Sequence, residues 1–195
     1  MRDIIRQSLA ASIAVKQSML DDDVFLQKIE QAAQAWVTAF RNGGKVLFCG
    51  NGGSAADAQH LAAELSGRFY ADRPPLYAEA LHVNTSYLTA VGNDYGFEEI
   101  FARMTEAAGR PGDVLVAIST SGNSTNVLKA IAKARDQGMV VVGFTGATGG
   151  EMATRCDILL DVPATDTPRI QEAHILIGHM LCQIVEASLF GLAAR

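Results

Sequence analysis

The chain has 195 residues, enough for one domain with a full hydrophobic core. Apolar residues make up 49% and charged residues 19%, which excludes a disordered chain. A net charge of -5 argues against binding nucleic-acid backbones, which needs clustered Lys and Arg, but leaves room for a small anion held by a few local donors.

In chain order, residues 4–20 read as a helix with Ile5, Leu9 and Ile13 on one face. Residues 24–41 repeat that period through Leu26, Ile29, Ala33, Val37 and Phe40, and Asn42-Gly43-Gly44 stops the helix. Residues 45–49 form a short apolar run before glycine and predict a buried strand, followed by a helix over 54–69. Further strands are predicted at 76–82, 113–118, 139–144 and 157–162, with helices near 97–108, 124–136 and 168–190. Alternating strands and helices imply an α/β fold: a three-layer, doubly wound, parallel five-stranded sheet with extra N-terminal helices. Strands such as Val114-Leu115-Val116-Ala117-Ile118 are apolar at every position, as burial on both faces requires. One domain over 1–195 is expected, with a helical extension at 1–42 and the α/β core at 43–195.

The last helix is apolar over more than one face, through Ile170, Ile175, Leu176, Ile177, Met180, Leu181, Ile184, Val185 and Leu189. Such a helix needs cover nearly all round, which points to a subunit interface and a homo-oligomer. The N-terminus has no basic-then-apolar leader, and no apolar run approaches the ~20 residues that span a bilayer, so a cytoplasmic location without membrane contact is expected. Cys49, Cys156 and Cys182 are odd in number and widely spaced, and read as reduced core thiols.

Two loops lie where a doubly wound sheet binds ligands, beyond the carboxyl ends of its strands. Gly50-Asn51-Gly52-Gly53-Ser54 lets backbone approach a ligand closely and opens a helix with free N–H groups. It lacks the Gly-Lys-Ser/Thr ending and the Gly-x-Gly-x-x-Gly spacing of nucleotide loops. Ser119-Thr120-Ser121-Gly122-Asn123-Ser124 places four hydroxyls at a helix N-terminus, a neutral cradle for a phosphate. Helix capping needs only one of the four.

On helix 54–69, His60 and Glu64 share a face, and Arg68 continues it one turn later. Alone, a His and Glu at this spacing are usually a hydrogen-bonded surface pair, and Arg68 reads equally as a solvated charge paired with Glu64. The last helix carries Gln171, His174 and His179 among apolar residues, where an unpaired polar group is costly. His60, Glu64, Gln171 and His179 would supply nitrogen and oxygen ligands suited to zinc or a similar ion. Spacing does not choose His179 over His174. Gln171 and His179 are eight residues apart, about 12 Å along an ideal helix, so a shared metal needs long reach, distortion or a second chain.

Several segments together resemble the sugar isomerase (SIS) domain family, and within it the bacterial D-sedoheptulose 7-phosphate isomerases, along essentially the whole chain. They are Cys49-Gly50-Asn51-Gly52-Gly53-Ser54, Asp57-Ala58-Gln59-His60, Ala63-Glu64-Leu65-Ser66-Gly67-Arg68, Gly92-Asn93-Asp94-Tyr95-Gly96, Ile118 through Ser124, and Arg169-Ile170-Gln171-Glu172-x-His174. The resemblance implies one zinc per subunit on His60, Glu64, Gln171 and His179. It implies substrate contacts from Asn51, Gly52, Gly53, Ser54, Glu64, Arg68, Asn93, Asp94, Ser119, Thr120, Ser121, Ser124 and Gln171. It implies a homotetramer with sites near subunit interfaces, and a product that feeds ADP- or GDP-heptose synthesis for surface polysaccharide. The expected reaction is ketose–aldose isomerisation through an enediol, with Glu64 as base and His179 as partnering acid. Two other readings are a non-catalytic relative that binds the bacterial replication initiator, which lacks the metal-binding acid, and a sugar-phosphate-sensing module. One segment departs from the family: in His82-Val83-Asn84-Thr85-Ser86, Asn84 stands where an aspartate is usual, removing a negative charge near the expected pocket.

Overall fold

The computed structural model describes residues 1–191; the last four residues of the expected core, 192–195, lie outside them. Two helices, α1 (Arg2–Leu20) and α2 (Asp23–Arg41), precede the alternating part. There follow β1 (Val46–Gly50), α3 (Gly53–Ser66), β2 (Ala78–Ala80), α4 (Thr85–Asp94), α5 (Ile100–Ala108), β3 (Val114–Ile118), α6 (Thr125–Asp136), β4 (Val140–Gly146), β5 (Ile158–Val162) and α7 (Thr167–Phe190). Short 3-10 turns cover Phe97–Glu99 and Gly150–Thr154. The five strands are all parallel, in the order β2-β1-β3-β4-β5.

The pleat divides the core into two. Val46, Phe48, Val114, Val116, Ile118, Val142 and Phe144 face a layer of α2, α3 and α7, with α1 packed outside. Leu47, Cys49, Leu115, Ala117 and Val141 face α4, α5 and α6. In the first layer, Trp36 of α2 stands edge-on to Phe48 of β1, with ring centres 5.4 Å apart. The three-layer architecture expected from alternation is the observed one. Cys49 and Cys182 are buried and Cys156 half-buried, all as free thiols. Burial pushes the Cys156 thiol up to about 12, so it stays protonated at neutral pH.

Three local expectations change. Helix α4 occupies a stretch to which the sequence reading assigns no element; it is short and largely exposed, with Val91 buried and Tyr87 and Leu88 packed against the core. Helix α3 ends at Ser66, with Gly67 as its cap, rather than running to Phe69. Arg68 therefore lies beyond the helix, off the face that carries His60 and Glu64. The strand expected at 76–82 is trimmed to three residues at the sheet edge, where it pairs only with β1.

Helix α7 is long and apolar enough, by length and composition, to cross a membrane, although no uninterrupted run of its sequence suggested it. Here it packs against α2, α3 and β4, burying Ile177, Leu181 and Val185. Ile4, Ile5, Leu9 and Ile13 of α1 are exposed instead, so the face expected to be apolar is uncovered in the single chain.

Candidate active site

In this strand order the chain reverses direction across the sheet between β1 and β3, which opens a crevice at their carboxyl ends. Gly50 and Ile118 are register partners, so the loops that follow, from Asn51 and from Ser119, leave the sheet side by side. The side-chain amides of Asn51 and Asn126 bond reciprocally, at 2.8 and 2.9 Å, and tie the β1 loop to the start of α6. Asn126 is buried and was not singled out from the sequence, where it is one more polar residue in a helix.

The hydroxyl loop is held from behind. Asn123 Oδ1, in the side-chain amide, accepts Glu151 N–H at 2.8 Å, and Met152 N–H donates to Gly122 O at 3.2 Å. Gly122 has φ +68°, and a Cβ there would collide with the backbone of Gly149. Ser119 Oγ lies 2.9 Å from Ser124 Oγ and 3.4 Å from Ser121 Oγ. Ser124 occupies the N-cap position of α6 but makes no side-chain capping bond, so capping does not account for its hydroxyl. A cavity of about 480 Å³ is lined by Asn51, Ser124, Thr125 and Asn126 on one side and by Gly96, Phe97 and Glu98 on the other. A second, of about 260 Å³, lies behind Thr120 and Ser121 at the start of α7.

Helices α3 and α7 run alongside one another. A Cβ at Gly53 would strike the side chain of Gln171, and one at Gly178 would strike Leu61. That pairing brings His179 to His60: their Nε2 atoms are 3.0 Å apart. Glu64 Oε1 is 3.2 Å from His60 Nε2. One ligand atom from each of His60, Glu64 and His179 falls within 4.8 Å of the others, a donor set that fits zinc or a similar divalent ion. Gln171 sits two turns earlier on α7, with its side-chain amide against Gly53 of the β1 loop. Burial, with a smaller push from His60 against the pull of Glu64, holds the His179 imidazole below its usual value, which favours the neutral ring a metal needs. Asp57, one turn before His60, is pushed up to about 6 by burial, with His60 acting against the shift.

His174 has a different role. It is fully buried, with Nε2 3.1 Å from Thr145 O of β4, and burial drives its pKa down to about 4. It is a neutral core residue between α7 and the sheet.

A SIS domain family model matches residues 11–146. A phosphoheptose isomerase of Rhodospirillum rubrum is 63% identical over 161 residues, 83% of this chain and 86% of that one. One of Aneurinibacillus thermoaerophilus is 51% identical over 190 residues, 97% of this chain and 96% of its own. The structure of a Neisseria gonorrhoeae phosphoheptose isomerase superposes with a TM-score of 0.89 at 45% identity, covering 95% of this chain and 98% of the other. This chain belongs to the SIS domain family, among the phosphoheptose isomerases.

The remaining residues marked by the resemblance to the phosphoheptose isomerases are dispersed around this frame. Asn93 and Asp94 end α4, are exposed and bond each other at 2.8 Å, two residues before the Gly96–Glu98 wall of the larger cavity. Ser54 is buried beneath Gly50, at the base of the loop. Gly52 has φ +57°, a backbone that favours glycine, whereas Gly53 is small because Gln171 packs on it. Arg68 is exposed. Asn84, the departure from this family's aspartate, caps α4 by accepting Tyr87 N–H at 3.0 Å; the lost charge belongs to a helix cap on the surface.

Proposed function

We propose that this chain is an aldose–ketose isomerase that interconverts D-sedoheptulose 7-phosphate and D-glycero-D-manno-heptose 7-phosphate. The convergence of His60, Glu64 and His179 at one point, beyond the hydroxyl loop, carries the reading. His60 lies seven residues along α3 from Gly53, about 10 Å at the ideal helical rise. An extended heptose phosphate is also roughly 10 Å long from single-bond lengths near 1.5 Å. Phosphate bound between Asn51 and Ser124 thus puts C1 and C2 within reach of the cluster.

Ser119, Thr120, Ser121 and Ser124 donate hydroxyls to the phosphate, and the N-terminus of α6 adds its free N–H groups. Neutral donors suit an acidic chain that binds one small dianion. At the other end, Glu64 removes the C1 proton of the ketose, exchanges it with solvent, and delivers a proton to C2. His179, exchanging off the metal as it takes up a proton, donates to the C2 oxygen as the enediol forms and takes the proton from the C1 oxygen as the aldehyde forms. His60, Glu64 and His179 would hold a divalent ion, with zinc the choice of this donor set, and the ion would supply positive charge to those oxygens. Within one chain Gln171 serves the phosphate end; as a fourth metal ligand it would come from a neighbouring copy. The exposed Ile4, Ile5, Leu9 and Ile13 row and the half-buried apolar side chains of α7 favour such a homotetramer. The product suits nucleotide-activated heptose synthesis in the cytoplasm, for lipopolysaccharide or related surface polymers.

The test uses sedoheptulose 7-phosphate in deuterated buffer, followed by NMR. Wild type should incorporate deuterium at C1, chelator should stop it, and zinc should restore it. E64Q should abolish exchange while still binding inorganic phosphate. Exchange that persists in E64Q eliminates Glu64 as the base, and full activity in metal-free protein removes the ion from the mechanism.

A further inference from the structure

The segment joining α3 to β2 wraps around a buried ion pair. Arg73 Nε lies 3.0 Å from Glu186 Oε1, and each side chain is 3% exposed. Glu186 is on α7, two turns beyond His179. Its Oε1 also accepts Phe69 N–H at 3.2 Å, while Oε2 accepts Tyr70 and Ala71 N–H at 2.9 and 3.1 Å. Burial would raise this carboxyl, but the three N–H groups and Arg73 together hold it below its usual value, so it stays ionised.

The rest of the guanidinium serves α3. Arg73 Nη2 donates to Glu64 O at 2.8 Å, and Nη1 donates to Leu65 O at 2.6 Å and Gly67 O at 3.1 Å. Helix-end carbonyls have no partner within the helix, and here an arginine takes them. One of these carbonyls belongs to Glu64 itself. On the other side, the Phe69 backbone bonded by Glu186 carries a ring that lies 5.6 Å from the His179 imidazole, tilted by 31°. The same pair therefore bonds the backbone of one functional residue directly and holds the backbone of Phe69, whose ring lies beside the other.

A buried ion pair is weak evidence of a stabilising role, because apolar replacements of similar size are often as stable. What this pair supplies that apolar groups could not is a fixed end to α3, at the residue whose carboxylate faces His60. We infer that Arg73 and Glu186 are positioning residues, which together set Glu64 and His179 for their common ligand; the inference rests on the metal-binding reading of His60, Glu64 and His179.

The test is Co2+ affinity of the purified full-length protein, measured by competition with a chromophoric chelator, alongside thermal melting and kcat and KM. R73M/E186Q removes both buried charges while leaving an acceptor for the loop N–H groups. It should bind Co2+ about tenfold or more weakly, the usual consequence of losing a group that orients a metal ligand. Its kcat should fall while KM for the sugar phosphate stays within about twofold, because the phosphate loop is not involved. R73K, which keeps the charge but not the fork, should not rescue affinity. I131V, in the core on the opposite face of the sheet, is the control for a general loss of stability and should bind Co2+ as wild type does. If the double variant does not fold, R73K and E186Q alone decide the question. The inference is overturned if these variants bind Co2+ as tightly as wild type while E64Q loses it, or if I131V loses as much affinity as they do. If E64Q also binds Co2+ normally, the metal-binding reading has failed, and the inference falls with it.

Discussion

Gly178 offers the sharpest test of how packing sets the site. It is buried on α7 beside His179, facing Leu61 of α3, the neighbour of His60. A Cβ placed there would lie 2.5 Å from Leu61 Cδ2 and 3.0 Å from Cγ. Ordinary carbon–carbon contact is about 3.5–4.0 Å, so α3 and α7 must part by about 1 Å, or Leu61 must leave its well. Leu61 is fully buried and has nowhere to go. Overpacking of this kind costs about 1–3 kcal/mol, and the better helix propensity of alanine returns about 1 kcal/mol. G178A should therefore lose about 0–2 kcal/mol in urea denaturation, less than a core truncation costs. The effect on activity should be larger. The His60 and His179 Nε2 atoms, 3.0 Å apart, belong to the residues next to Leu61 and Gly178 on the same two helices. A displacement of about 1 Å in a reacting group costs up to about 100-fold, so kcat/KM should fall about 10- to 100-fold. Cutting Leu61 to alanine reopens the space: in the L61A background, G178A should become neutral or stabilising. A G178A protein that is as stable and as active as wild type, or a double-mutant cycle without coupling between the two positions, would refute this account.

Two further outcomes concern stability. His174 is neutral in the fold with a pKa near 4, whereas in the unfolded chain it titrates near 6.5. Below pH 6.5 the unfolded state therefore binds a proton that the native state does not, so stability falls with pH down to about 4 and then levels off for this group. The full effect is of order 3 kcal/mol, and H174Q should flatten that part of the pH–stability curve; an unchanged slope between pH 4 and 6.5 would show that His174 does not carry it. N84A should lose about 1 kcal/mol through its cap. N84D should keep the cap and gain a few tenths of a kcal/mol from the helix dipole, with an unchanged KM. A KM shift in N84D would mean that position 84 reaches the substrate after all.

Much of this was legible in the chain itself. A strand buried on both faces must be apolar throughout, and a ligand loop beyond it must tolerate close approach; the runs at 45–49 and 113–118 and the loops after them therefore stand out. The His60–Glu64 pair follows from helical spacing alone. What periodicity cannot encode is which neighbour a face will meet. His174 and His179 lie on one apolar helix, and only the packing of α7 assigns the first to Thr145 in the core and the second to His60. Gln171 met Gly53, two turns from the cluster, for the same reason. Helix α4 is harder to read because its apolar face, Tyr87, Leu88 and Val91, spans little more than one turn. Arg73 and Glu186 are 113 positions apart and look like ordinary surface charges in sequence. Local sequence determined the elements and the chemistry available at their ends; long-range packing decided which charges were buried together, because the cost of leaving a buried polar group unpaired is settled only when distant segments meet.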